Sequence, residues 1–317
     1  MGPTGSEPQI ESGGEPVILG IDRFLASTGA FFEPRRSSPR IALLTNAQAR
    51  AGLSPSSAPG PEAEPTYIAL ARTGLPMSRI FTPEHGLSGT APDGAPVDDS
   101  RESRTGLPVT SLYGGSLRPE PETLADADLL LVDLQDVGAR FYTFLWTISH
   151  VMEAAAEAGT PVVVLDRPNP VGGAPEWVEG PLPTPDSARH FLGRWPIPVR
   201  HSLTLGEMAL LLKGEMEVPV QVDVVPMEGW RRSMLWRDTG LPFHPPSPGI
   251  ASPESALLYP AMVFLEATNV SMGRGTKLPF QWLGASWLDA ELLADALNAC
   301  GPPGVGARPL EQTLPGT

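Results

Sequence analysis

The chain has 317 residues, a formal charge of −14 from 22 Lys+Arg against 36 Asp+Glu, and 41% hydrophobic against 18% charged residues. That length suits two compact domains, and that composition belongs to a folded chain, not a disordered one. The acidic balance argues against nucleic acid or an anionic membrane as partner, since both need a basic face, and one cysteine, Cys300, excludes an internal disulfide or a Cys-based metal centre. Cys300 itself reads as a small buried or inert residue.

Residues 1–16 are polar and rich in Gly, Pro and Glu, and read as a disordered leader. They show no basic region followed by an apolar one, and no later run approaches the roughly 18 apolar residues of a membrane span. A soluble, cytoplasmic protein is expected. Residues 54–65 are a second low-complexity stretch with too little apolar surface to order itself.

Four short apolar runs end in polar residues. They are Arg40 to Asn46, Arg79 to Gly86, Asp128 to Asp136 and Pro161 to Pro170. Continuous apolar runs, as opposed to alternating ones, mark strands covered on both faces, hence a parallel sheet in an α/β domain. Phe141 to Gly159 has helical spacing with Glu153 and Glu157 on its polar side, and Gly159 with Pro161 stops it. Strand, helix and strand then form a crossover. Ligands of such sheets bind beyond the carboxyl ends of the strands, so the tips Asn46, Glu84 with His85, Asp133 with Gln135, and Asp166 with Arg167 are expected to converge there.

After Asp186 the pattern changes, and a second domain is expected to start near the helix that follows. A helix is predicted over 204–213, with Thr204 at its N-cap and Gly214 at its end, then a strand over 221–226. Residues 241–253 are too proline-rich for a strand and read as an ordered loop or lid. Residues 287–299 read as an amphipathic helix. The boundaries expected are a leader over 1–16, a sheet domain over 17–202 and a smaller domain over 203–317.

No GxGxxG, GxxxxGK[ST], HExxH or GxSxG pattern occurs, so neither a nucleotide cofactor nor a standard zinc or serine hydrolase site is expected. What remains is a set of carboxylates with arginines beside them. Glu84 follows a strand in Pro83-Glu84-His85-Gly86, a turn that can hold a carboxylate for general acid–base work. Asp133, Gln135, Arg140 and Tyr142 can bind hydroxyls, while Asp136 suits a helix N-terminus. Asp166, Arg167 and Asn169 sit among prolines, a rigid way to present polar groups. Glu179 is a second turn-held carboxylate and a possible partner for Glu84 in a two-carboxylate glycosidase, with Trp177 beside it for sugar contact. A metal-dependent alternative would use His85, Asp133, Asp166 and His201, but their spacing matches no recognised metal set. A non-catalytic sugar-binding protein is another alternative.

The segments Leu44-Thr45-Asn46, Phe81 to Leu87, Asp133 to Thr143, Leu165 to Gly173, Val178 to Pro181, Pro196 to His201, Pro245 to Pro248, Glu266 to Asn269 and Gly273 to Thr276 together resemble one family over about residues 18–289. It is NamZ (formerly YbbC), the exo-β-N-acetylmuramidases of peptidoglycan recycling. The resemblance implies an α/β fold: a Rossmann-like parallel-sheet N-terminal domain, a smaller α/β C-terminal domain and an active site in the cleft between them. Family members usually run on past the point matching Ala307, so the resemblance leaves room for an incomplete C-terminal domain. It implies a peptidoglycan-derived saccharide as substrate, with terminal N-acetylmuramic acid released from β-1,4-linked fragments; from the missing motifs and ligand spacing, no cofactor or metal is expected. The glutamate of the PEHG block maps to Glu84, and Glu179 is the second candidate. Substrate contacts are expected from Asn46, His85, Asp133, Gln135, Arg140, Tyr142, Asp166, Arg167, Asn169, His201, Asn269 and Arg274. The lactyl carboxylate of muramic acid calls for an arginine, with Arg140, Arg167 and Arg274 as the matched candidates.

Overall fold

A computed structural model describes residues 15–27, 39–54, 63–184, 190–216 and 219–311. The leader up to residue 14 and the middle of the second low-complexity stretch, 55–62, lie outside the described residues.

Among the described residues the main sheet has seven strands. In chain order they are β1 (Ile41–Thr45), β4 (Met77–Thr82), β5 (Ser100–Arg101), β6 (Pro108–Ser111), β7 (Leu129–Asp133), β8 (Val162–Leu165) and β9 (Val222–Val225), while β2 (Arg50–Ala51) and β3 (Glu64–Pro65) form a separate antiparallel pair. The spatial order is β5-β6-β4-β1-β7-β8-β9, and every pairing is parallel except that of β5 with β6. Numbered along the chain, the six parallel strands run 3-2-1-4-5-6, the order of the doubly wound Rossmann fold. The order reverses between β1 and β7, where Thr45 pairs with Asp133.

Two apolar cores explain the continuous apolar runs. Ala42, Leu44, Leu130, Val132, Val162 and Val164 point to one face, under Trp146, Met152 and Met208. Ile41, Leu43, Leu129, Leu131, Val163 and Leu165 point to the other, with Phe24, Tyr67 and Leu70. Alternation along each strand is therefore hydrophobic on both sides.

Helix α1 (Gly20–Ala26) lies against β8 and β9, and α2 (Thr66–Arg72) packs on β1. A Cβ at Gly20 would stand 2.4 Å from the Asp166 nitrogen and 2.5 Å from the Val225 carbonyl oxygen, so only glycine lets this helix settle on the strand ends. Helix α3 (Pro121–Ala125) precedes β7, and α4 (Thr143–Ala158) joins β7 to β8, closing on Gly159 at φ 69 as the sequence predicts. Helix α5 (Leu205–Glu215) opens on a capping box between Thr204 and Glu207. It runs through Gly214, which is therefore no stop signal.

Three expectations are corrected. The break near residue 203 falls inside the sheet unit, because α5 and β9 supply its last crossover and edge strand. The ends of the 54–65 stretch are ordered: Ser54 accepts from the Leu19 amide at 3.1 Å and donates to Asp22, and Glu64–Pro65 pair with Arg50–Ala51. Cys300 is exposed, at the end of α7 (Ala290–Cys300), which Asp289 caps. Helix α6 (Pro253–Met262) follows the proline-rich loop with Ser252 as N-cap and Pro253 in its first turn. Among the described residues no helix is long and apolar enough to cross a membrane.

Candidate active site

Strand β4 delivers the chain into Pro83-Glu84-His85-Gly86, a tight turn closed by the Gly86 amide on the Pro83 carbonyl at 3.1 Å. His85 adopts φ 71, a left-handed backbone that costs a non-glycine residue energy and is kept where the surroundings demand it. Its Nδ1 lies 2.8 Å from the Ala91 carbonyl oxygen. A carbonyl only accepts, so Nδ1 carries the proton, and Nε2 faces Asp93 Oδ1 at 3.8 Å.

Glu84 is 7% exposed and held from several directions. The Gly94 amide donates to Oε1 at 2.7 Å and the Thr143 hydroxyl to Oε2 at 2.8 Å. Thr143 is the first residue of α4, so the carboxylate also lies at the positive end of a 16-residue helix. The Tyr113 side chain faces the same carboxylate, and burial first, then the charge of Glu84, pushes the phenol up to about 12.

These groups open onto a cavity of about 460 Å³ at the carboxyl end of the sheet. Its near wall is Glu84, His85, Asp93, Tyr113, Tyr142 and Thr143; its far wall comes from residues 247–280, including Tyr259, Phe264, Glu266, Arg274 and Phe280. Burial raises the phenol pKa values of Tyr142 and Tyr259. Phe141 and Phe264 meet edge to face at 5.2 Å at this cavity. Arg274 spans the two walls. It binds Asp93 through Nη1 and Glu266 through Nε, at 2.8 Å, and Nη2, and it lies over the Phe280 ring at 4.8 Å.

Of the sequence-predicted residues, Glu84, His85, Tyr142 and Arg274 line this cavity. The other strand tips are taken up by hydrogen bonds within the fold and do not line this cavity. Asp133, fully buried, takes Arg167 Nε at 2.5 Å and Nη2 at 2.8 Å, plus the Thr66 hydroxyl. Asn46 accepts from the Gln48 and Ala49 amides and closes its own turn. Gln135 donates to the Asp136 and Pro168 carbonyls, and Asn169 to the Leu203 carbonyl. Asp166 holds the N-terminus of α5 through Thr204 and Gly206. His201 accepts from the Leu203 amide at Nδ1 and turns Nε2 toward Asp136, 3.6 Å away. Arg140 donates to the Pro181 and Ile197 carbonyls.

The structure does not bring Glu179 to Glu84. Its side chain is 64% exposed, sits 3.3 Å from Arg200 and takes no part in the cavity wall, because residues 179 and 200 form a bridge of their own. Trp177 stays with that bridge, under the Arg200 guanidinium at 5.2 Å. Asn269 is exposed and also outside the wall. The residues of the metal alternative are not brought together: Asp133, Asp166 and His201 have the separate partners just described, and among the described residues no group of three His, Cys, Asp or Glu is placed to hold an ion.

Sequence reasoning missed Asp93, Tyr113, Thr143, Tyr259 and Glu266 as wall residues. Thr143 had a signal, as the residue after Tyr142 at a predicted helix start. Asp93 had only the turn pair Asp93-Gly94.

A sheet of Rossmann order with an acidic, aromatic-walled cavity beyond its strand ends defines an α/β protein built to take a small polar ligand. Comparison with known proteins narrows this. Residues 41–254 match the family model described as exo-β-N-acetylmuramidase NamZ, N-terminal, and residues 257–314 match its C-terminal counterpart. A protein of Bacillus subtilis (strain 168) named peptidoglycan β-N-acetylmuramidase NamZ is 40% identical over 292 residues, which are 92% of this chain and 67% of that protein. Two crystal structures of DUF1343-family proteins from Bacteroides fragilis superpose with TM-scores of 0.79 and 0.68 at 36% and 33% identity. They cover 92% and 86% of this chain, which spans 71% and 67% of theirs. The chain belongs to the NamZ family.

Proposed function

We propose that this chain is an exo-β-N-acetylmuramidase, a glycosidase that releases terminal N-acetylmuramic acid from β-1,4-linked peptidoglycan fragments. The family membership supports the activity, and one observation carries the site: the Glu84 carboxyl, gripped by Gly94 and Thr143, opens into a cavity with aromatic side chains on both walls. Glycosidases place a carboxyl group beside the scissile oxygen and stabilise an oxocarbenium-like centre. Glu84 is assigned proton transfer at the leaving oxygen as the C1–O bond breaks. Of the three candidate arginines, Arg274 alone reaches the cavity, and its three hydrogen bonds leave two of five N–H groups for a substrate carboxylate. The match of the two family models also supports dividing the chain near residue 255.

The test is hydrolysis of a chromogenic β-MurNAc glycoside and its β-GlcNAc counterpart by the 317-residue chain and its Glu84→Gln variant. Release from the MurNAc compound alone, lowered ~100-fold or more in the variant, is the expected result. Binding of MurNAc without turnover by the unaltered chain would make it a sugar-binding protein instead, and full activity of the variant would remove Glu84 from the chemistry.

A further inference from the structure

We infer that Asp93 is the second carboxylate of this reaction, with Arg274 as its positioning residue. The inference rests on the muramidase reading above and replaces Glu179, which lies outside the cavity.

Three observations carry it. The first is tethering: the Gly94 amide that holds Glu84 Oε1 at 2.7 Å follows Asp93 directly, so one short loop fixes both carboxyl groups at the same cavity. The second is orientation. Arg274 takes Asp93 Oδ2, and Oδ1 faces His85 Nε2 at 3.8 Å, beyond a direct hydrogen bond. One oxygen is thus anchored and the other remains open to a small ligand. The third is the asymmetry of exposure. Glu84 is 7% exposed, whereas the Asp93 side chain is 49% exposed on the solvent side of the same cavity. Proton transfer to a leaving group suits the buried carboxyl, and activation of water suits the open one.

Glu266 is the competing carboxylate. Its Oε1 already receives two N–H groups of Arg274, and it comes from the far wall, with no link to the loop that holds Glu84. It serves to hold Arg274 in place over Phe280.

The step balances as a single displacement. The C1–O bond breaks with its electron pair passing to the leaving oxygen, which takes the proton carried by Glu84. A water oxygen bonds to C1 and gives its proton to Asp93. One water is consumed, and a proton returns from Asp93 to Glu84 through solvent.

The experiment compares the unaltered chain with Asp93→Asn, Asp93→Ala and Glu179→Gln on the chromogenic β-MurNAc glycoside, with and without sodium azide. Asp93→Asn preserves an acceptor for Arg274 and should lower kcat ~100-fold or more with KM within about threefold, the scale of a lost general base. Glu179→Gln should stay within about twofold. Azide should restore at least about tenfold of the Asp93→Ala turnover by bonding C1 in place of water, since it needs no proton removed, with the glycosyl azide as product. Thermal melts of the variants confirm that folded protein is being compared. Retained activity in Asp93→Asn, or lost activity that azide leaves unchanged in folded Asp93→Ala, overturns the assignment of Asp93. Neither result touches the muramidase reading, which fails only if the unaltered chain leaves the substrate intact.

Discussion

The hydroxyl of Thr143 donates to Oε2 of Glu84 across 59 positions of sequence, at 2.8 Å, and so joins the tip of β4 to the first residue of α4. As Glu84 gives up its proton it becomes charged. A neutral donor to a charged acceptor is worth about 1.5–3 kcal/mol, and each 1.36 kcal/mol lost from transition-state binding is tenfold in rate. Thr143→Val keeps the side-chain shape and removes the donor. It should lower kcat on the β-MurNAc glycoside ~10- to 100-fold with KM nearly unchanged, while Thr143→Ser, which keeps the hydroxyl, should recover most of it. Equal kcat in the valine variant would show that Gly94 and Tyr113 suffice to aim the carboxyl.

Asp133 and Arg167 are a buried ion pair at the strand ends, 0% and 3% exposed, and bond one another with two hydrogen bonds. Arg167 also donates to the Arg50 carbonyl at 2.8 Å, which fastens the β2–β3 pair to the sheet. Removing one partner leaves a buried charge alone and typically costs 3–5 kcal/mol, whereas replacing both with apolar side chains is often near neutral. In urea unfolding Arg167→Met should therefore lose about 3–5 kcal/mol, and the double variant Asp133→Leu/Arg167→Met should regain most of that. Folded molecules of either should hydrolyse substrate within about threefold of the unaltered chain. A specific loss of activity with stability intact would return this pair to the substrate site.

The two outcomes at the strand tips explain what could be read from the sequence. Strands β1, β7 and β8 were legible because both faces are buried, which writes a continuous apolar run into local sequence. Helix α4 was legible from its spacing and Gly159, and the start of α5 from Thr204 at its N-cap. Strand β6 was not, since it begins at Pro108 and ends in Thr110 and Ser111, and α6 was hidden by Pro253 and Pro260. The polar tips were visible as a set, but their fates differ through partners far along the chain. Asp133 finds Arg167 34 residues on, and Glu84 finds Thr143 59 residues on. Nothing local distinguishes a carboxylate that will meet an arginine from one that will open onto a cavity. Glu179 shows the converse: its turn context resembles that of Glu84, yet the bridge to Arg200 keeps it in solvent.

Asp166 gives the fold a dependence on pH with a definite sign. Its Oδ2 accepts from the Thr204 hydroxyl at 2.8 Å and its Oδ1 from the Gly206 amide at 2.9 Å, but burial outweighs both and pushes the carboxyl up to about 6 from an ordinary 3.8. Between those values the folded chain holds a proton that the unfolded chain has released. Its contribution to stability is therefore complete below about pH 4 and is lost as the pH rises through about 6. A shift of that size corresponds to at most about 3 kcal/mol. Asp166→Asn carries no titrating group, so the stability of the unaltered chain minus that of the variant should decline by up to about 3 kcal/mol between pH 4 and 7 in urea midpoints taken at each pH. A difference that stays constant over that range would mean that Thr204, Gly206 and the end of α5 keep the carboxylate ionised against its burial.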